Sequence, residues 1–329
     1  MKILIIFTGG TIGSSINNGT ISPDNKTNYL ILENYLNNNK CDYSPDFTCI
    51  EPYTVLSENL SAENINLLIS TIKENHNKKF DGIIVTHGTD TIQYTASALA
   101  YAFSNINIPI ILVSSNLPLS ENNSNGNKNF EAAVKYIQNR AGQGVFVSYA
   151  NPNENVKFHY ANSILLHQET KEDILSLNSN EYAEYIDGNI VFNDKFKRTV
   201  FDKTINDFKL LNNSNILVVN CFPGSRYDYN LNNYDAIIFR PYHSGTLNTK
   251  NKCFVEFCEC AKEYKIPSFV VNASSGNIYE SAVLYNELGI TVLPYSTFAS
   301  IYIKIWIAIS IKTDIKEFVI KPLAGEFFE

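Results

Sequence analysis

Two short segments place hydroxyls and a carboxylate at turns rich in glycine: Thr8-Gly9-Gly10-Thr11-Ile12-Gly13 and Thr86-His87-Gly88-Thr89-Asp90-Thr91. In the first, Thr8 closes an apolar run from Ile3 to Phe7. The two glycines that follow permit a sharp turn and leave backbone N–H groups uncovered. A hydroxyl at a strand tip beside bare amides is what an acyl-transfer nucleophile requires, so Thr8 is the candidate nucleophile. In the second segment Gly88 precedes another hydroxyl, Thr89, and a carboxylate, Asp90. That grouping can hold an amino acid's ammonium and assist proton transfer. His87 reads as a packed, hydrogen-bonded residue rather than a base.

Plainer roles stand beside these. A Gly-rich turn after a first strand can hold a nucleotide phosphate, but GxGxxG and the lysine of GxxxxGK[ST] are both missing. A purely structural turn remains open. Asp90 and Thr91 also suit the N-cap of a helix that starts at Ile92, although capping leaves Thr89 unexplained.

The elements that must carry these turns are an alternation of buried strands and helices. Apolar, β-rich runs occur at 2–7, 82–86, 109–114 and 144–150, with helical spacing at 61–75 and 91–103. This pattern predicts an α/β fold: a larger N-terminal domain with a doubly wound, mostly parallel sheet. From Ser176 to about Asn213 the chain is polar and weakly periodic, with a hairpin expected around Asp187-Gly188. The rhythm then resumes with strands at 216–220, 236–240, 268–272 and 291–294 and helices at 253–264 and 281–288. The expected organisation is a domain at 1–188 carrying the nucleophile and substrate site, a linker at 189–213, and a smaller C-terminal α/β domain with a parallel sheet at 214–329.

Composition narrows the partners. The 329 residues are 44% hydrophobic and 18% charged, enough for ordinary buried cores. Net charge is -7 and no basic run exceeds Lys78-Lys79, so nucleic acid is not an expected partner. The apolar run at the N-terminus is too short for a secretory signal, and the run from Ile301 to Ile311 is interrupted by Lys304 and too short for a membrane span. A soluble, cytoplasmic protein without membrane association follows as the expectation. The six cysteines form no CxxC pair and the five histidines no HxxxH pair, so no structural metal is expected.

Together, TGGTIG and HGTDT resemble the bacterial L-asparaginase family, particularly its cytosolic type I branch. Other segments agree. Ser57-Glu58-Asn59 stands at the family's substrate-binding Ser-Gln/Glu pair, and Val113-Ser114-Ser115 with Pro118 resembles its third strand-end loop. Asn125-Gly126 replaces Asp-Gly, and Phe222-Pro223-Gly224 resembles the Pro-Gly segment of the small domain. The resemblance implies hydrolysis of L-asparagine to L-aspartate and ammonia without a cofactor. Thr8 forms the acyl-enzyme and Thr89 is the second essential hydroxyl. Asp90, Ser57 and Glu58 hold the substrate's charged ends, with Gly88 and Ser115 lining the site. It further implies a homodimer or homotetramer, with Pro241-Tyr242-His243-Ser244-Gly245-Thr246 reaching toward a neighbouring site; Asn272-Ala273-Ser274-Ser275-Gly276 is another strand-end loop.

Two departures accompany the matches. Thr20 stands where the family's loop carries an activating tyrosine, with Tyr29 nearby as a substitute. In the segment from Tyr160 to His167, Leu166 or its neighbour stands where the family has a triad lysine, flanked by Lys157 and Lys171. Two alternatives follow: an asparaginase fold that binds an amino acid with little turnover, or an ammonia-supplying subunit resembling part of a tRNA-dependent amidotransferase. The second is disfavoured because the sequence opens directly on its first strand.

Overall fold

The computed structural model describes residues 1–17, 19–23, 29–39, 44–76, 78–197, 205, 207–271 and 279–328. The chain forms two compact units, Met1–Phe196 with Asp202–Ile205, and Lys197–Phe201 with Asn206–Glu329.

In the first unit β1 (Lys2–Phe7) runs into a hairpin of β2 (Ser14–Asn17) and β3 (Thr20–Pro23). Then follow β4 (Asp46–Ile50), β5 (Gly82–Thr86), β6 (Pro109–Val113) and β7 (Gly144–Ala150), all parallel to β1 within one sheet. That sheet is extended antiparallel by β8 (Val156–Tyr160), β9 (Ala183–Ile186) and β10 (Asn189–Phe192). Among the described residues its strand order is β10-β9-β8-β7-β6-β5-β1-β4. Helices α1 (Leu30–Asn38), α2 (Ala62–His76), α3 (Ile92–Ala102) and α4 (Gly126–Gln138) make the connections, α1 packing on α4 and α2 on α3. Helices cover the sheet, so β5 and β6 are buried throughout and β1 from Ile3 onward. This is why those strands are uninterrupted apolar runs rather than alternating ones.

Topology locates the crevice. The chain leaves β1 toward β4 on one side and leaves β5 toward β6 on the other. The crossovers diverge between β1 and β5, and a doubly wound sheet takes its ligand beyond the carboxyl ends of such a strand pair. Both glycine-rich turns open there.

The hairpin at Asp187-Gly188 joins β9 to β10, both residues having positive φ (46° and 84°), as a tight hairpin turn demands. The 189–213 linker expected from composition therefore begins too early. Asn189–Phe192 is a short edge strand, largely exposed, and its composition reads as polar surface. Residues 198–204 and 206 of that segment, like Cys41, lie outside the described residues.

In the second unit β11 (Ile216–Asn220), β12 (Ala236–Arg240), β13 (Ser268–Val270) and β14 (Ile290–Val292) form a parallel sheet in that order. Ile237 and Phe239 pack on Phe254 and Phe257 of α5 (Lys252–Glu263), while Ile238, one residue out of phase, packs with Ile301 and Ile305 of α7 (Phe298–Ser310). Between them lies α6 (Glu280–Val283), a single turn where a longer helix was expected at 281–288. The chain ends after α8 (Ile315–Ile320). The loop from Asn272 to Gly276 lies outside the described residues.

Lys304, the residue that interrupts the apolar run of α7, is fully buried. Its ammonium pairs with Glu326, donates to the Lys321 carbonyl, and lies 4.6 Å from the centre of the Phe327 ring. Burial pulls it down to about 8, against the pull of the Glu326 carboxylate. Glu326 also accepts from the amides of Leu323 (3.1 Å) and Ala324 (2.7 Å), so this pair pins the C-terminal tail to the helix. No helix among the described residues is long and apolar enough to cross a membrane.

Candidate active site

The tips of β1 and β5 are stitched together before either turn begins. The Thr8 amide donates to Thr86 Oγ1 at 3.2 Å, and the Thr8 hydroxyl donates to the Thr86 carbonyl at 2.5 Å. Beyond this seam the two turns meet backbone to backbone at Gly10 and Gly88. Gly10 has φ +79°, and a Cβ there would lie 2.3 Å from the amide nitrogen of Gly88. Gly9, at φ +97°, abuts Val55, which accepts from the Gly10 amide at 3.0 Å. The expectation of bare amides in this turn therefore fails at Gly10, because the segment after β4 crosses β1's tip and uses that donor.

Thr8 is 2% exposed and its proton is committed to a carbonyl. Tyr53 lies beside it with its hydroxyl buried and poorly aligned for a hydrogen bond, and burial pushes the phenol up. Three residues on, Thr11 begins a short 3-10 turn, is partly exposed, and makes no side-chain hydrogen bond to another described residue.

The second turn gathers the other expected residues. Ser57 Oγ donates to Asp90 Oδ2 at 3.3 Å, and Thr91 Oγ1 donates to the Ser57 carbonyl at 2.9 Å. A Cβ on Gly88 would fall 2.4 Å from Ser57 Oγ, so this glycine lets the serine approach. No side chain caps α3 at Thr91. Asp90 and Thr91 thus serve the Ser57 contact, which removes the cap-only explanation for them. Thr89 is partly exposed, and Asp90 and Glu58 are exposed.

Ser115 stands apart from this group. It has no exposed surface, donates to the Leu117 carbonyl at 2.5 Å and shares a contact with Ser124 at 2.8 Å, so its hydroxyl is engaged within its own loop. A cleft of about 790 Å³ runs along that loop past Asn116, Asn125, Lys128 and Asn151, but Thr11, Ser57, Thr89 and Asp90 do not line it.

The two departures also acquire positions. Tyr29 lays its ring against Phe7 with centroids 5.1 Å apart, near the tip of β1, while Thr20 is exposed on β3. Lys157 is paired with Glu154 at 2.8 Å and Glu181 at 3.7 Å, and Lys171 is exposed. The residue that does reach the second turn is His167, whose Nε2 lies 2.9 Å from the Thr89 carbonyl oxygen. Its signal in the sequence is modest: one polar ring closing the stretch where the resemblance locates a cation.

His87 is packed as expected. Nδ1 donates to the Gly88 carbonyl at 2.7 Å and Nε2 accepts from Thr95 at 2.8 Å, a pairing that requires the neutral ring. Burial lowers it from 6.5 to about 4. His159, fully buried on β8, is lowered to about 3 by burial and the nearby Lys157 charge. Since both folded values lie below the unfolded one, the unfolded chain takes up protons first as pH falls. Stability held above pH 6.5 is lost downward toward about 4 for His87 and about 3 for His159. Each histidine should account for about 2 kcal/mol of stability lost between pH 7 and pH 5. Urea unfolding at both pH values checks this: a His159→Gln variant should lose less stability than wild type over that interval, and an equal loss would contradict it.

A family model described as the N-terminal part of asparaginase matches residues 2–197, nearly the whole first unit. A glutamyl-tRNA(Gln) amidotransferase subunit of Thermoplasma acidophilum is 27% identical over 203 residues, 60% of this chain and 47% of that protein. L-asparaginase 1 of Escherichia coli is 32% identical over 147 residues, 42% of this chain and 40% of it. The chain thus spans less than half the length of these curated relatives. The thermostable L-asparaginase from Thermococcus kodakarensis superposes with a TM-score of 0.81 over 100% of both chains at 22% identity. L-asparaginase I from Vibrio cholerae does so with a TM-score of 0.79 over 100% of this chain and 99% of its own, also at 22% identity. Those superpositions show the fold, and the family match extends over more than half of the sequence and covers both strand-tip turns, so this chain belongs to the asparaginase family.

Proposed function

We propose that the chain is an amidohydrolase that converts L-asparagine to L-aspartate and ammonia through a threonine acyl-enzyme, with Thr11 rather than Thr8 as nucleophile. The observation that carries this reading is the pairing of Thr11 and Thr89. Both are partly exposed hydroxyls without a partner among the described residues, on turns whose backbones meet at Gly10 and Gly88. Thr8 is reassigned because a 2% exposed hydroxyl that already donates to Thr86 is closed to substrate.

In this scheme Thr11 Oγ1 attacks the side-chain amide carbon, the C–N bond breaks and ammonia leaves with the added proton. Water then cleaves the ester and restores the hydroxyl. Thr89 relays the proton. Asp90, oriented by Ser57, takes the substrate's ammonium, with Glu58 beside it. Holding the substrate at its charged end presents the amide carbon to Thr11, and such positioning is worth several powers of ten in rate. No cofactor enters the reaction. Assembly as a homodimer or homotetramer in the cytoplasm belongs to the same proposal, with the exposed His243 on a turn closed by Ser244 and Thr246 (2.9 Å) available to a partner.

A second reading is favoured by the match to the amidotransferase protein of Thermoplasma acidophilum: the chain supplies ammonia to a partner protein. The test is ammonia release by the purified chain alone, with L-asparagine and with L-glutamine. Release from asparagine exceeding that from glutamine supports the hydrolase. Release that requires an added partner supports the second reading, and none under any condition removes both.

A further inference from the structure

We propose that His167 is the positioning residue of the second turn, holding Thr89 in place from a rigid loop. This rests on the amidohydrolase reading of the site.

The loop that carries His167 is anchored at its base and partway along. Ile164 and Ser176 form an isolated antiparallel bridge, and the Leu165 amide donates to the Leu175 carbonyl at 2.9 Å. Ile174 is clamped by Asn151, which accepts from its amide at 2.9 Å and donates to its carbonyl at 3.1 Å. At the arch of this loop the two ring nitrogens of His167 face two carbonyl oxygens. Nδ1 lies 3.1 Å from that of Asp173, within the loop, and Nε2 lies 2.9 Å from that of Thr89, on the second turn.

A carbonyl oxygen only accepts and the neutral ring carries a single N–H, so we assign the proton to Nε2, the nitrogen with the shorter contact, which donates to the Thr89 carbonyl. The Thr89 carbonyl also receives the amide of Ile92, at a longer 3.3 Å. His167 is therefore the tighter of its two partners and the one that comes from outside the turn. Thr89 sits between Gly88 and Asp90, where no regular element supports it. A strut on its own carbonyl fixes the peptide plane from which the side chain projects. Lys157 and Lys171 do not substitute, the first being engaged with Glu154 and Glu181 and the second exposed.

The prediction separates holding from binding. His167→Leu removes the donor and should lower kcat for ammonia release about 10- to 100-fold, the scale of a small misplacement of a reacting group. KM should stay within about threefold, because Asp90 and Glu58 grip the substrate's far end. His167→Gln, whose amide still donates, should recover most of kcat. Hydrogen exchange of the amides from Thr89 to Gln93 gives a readout that needs no turnover: faster in His167→Leu, restored in His167→Gln. Wild-type kcat in a folded His167→Leu chain would overturn the proposal, as would kcat lost equally in both variants. If wild type releases ammonia from neither amide, the amidohydrolase reading fails on its own account. Exchange then decides whether His167 holds the turn, and unchanged exchange in His167→Leu would overturn that as well.

Discussion

Thr11→Val is expected to lower kcat/KM for ammonia release by a factor on the order of 10⁴ while leaving the fold as stable as wild type. Valine has nearly the shape of threonine, and the hydroxyl it lacks makes no hydrogen bond to a described residue, so stability loses nothing comparable to what chemistry loses. Thr8→Val should behave in the opposite way. Its lost hydroxyl donates to the Thr86 carbonyl across the β1–β5 seam, and a buried acceptor left unsatisfied costs about 1–3 kcal/mol. Activity per folded molecule should stay within about tenfold of wild type, since Thr8 orders the strand tips without touching substrate. Thermal melts and initial rates on the same preparations separate the two cases. Loss of stability in Thr11→Val with activity retained would reverse the assignment.

Gly10→Ala should be strongly destabilising. The added Cβ would sit 2.3 Å from the Gly88 amide nitrogen and 2.5 Å from its Cα, at a φ of +79° that alanine adopts poorly. Backbone cannot rotate out of the way as a side chain can, so the two turns must separate. Strain and overlap together should cost about 3 kcal/mol or more and lower Tm by about 10 °C. Gly19→Ala is the matched control: its φ is +77°, yet nothing lies within 4 Å of the added carbon. It should cost only about 1–2 kcal/mol of conformational strain. Ammonia release should fall with Gly10→Ala beyond what unfolding explains, because Thr11 and Thr89 no longer share one crevice. Equal effects of the two substitutions would mean that the φ requirement alone, not contact between the turns, fixes Gly10.

Much of the architecture is legible in the residues because the strands that carry the site are buried on both faces. Ile3 to Phe7 and 109–113 announce themselves as unbroken apolar runs. Asn189–Phe192 does not, since an edge strand exposed along most of its length has the composition of a loop. In the site, Gly88, Thr89 and Asp90 form the glycine-hydroxyl-carboxylate pattern on one turn, and Ser57, distant in sequence and named by the family resemblance, lies against Asp90 and Gly88. What pattern could not convey is direction. Thr8 and Thr11 are both threonines of one turn, and only the seam with Thr86 and the positive φ of Gly9 and Gly10 show that the chain has turned outward by Thr11. Nor does pattern convey that the Ser115 hydroxyl is turned into its own loop. His167 is the converse case. Its contact with Thr89 spans 78 positions, and no local spacing reveals it.

The most direct test of the central claim is to mix the chain with excess L-asparagine, quench in acid during turnover, and map the covalent adduct by peptide mass spectrometry. An aspartyl ester on the peptide bearing the first turn, abolished in Thr11→Val and present in Thr8→Val, is the predicted result. An ester that survives Thr11→Val and vanishes in Thr8→Val, or ammonia release with no trapped acyl-enzyme, would contradict it.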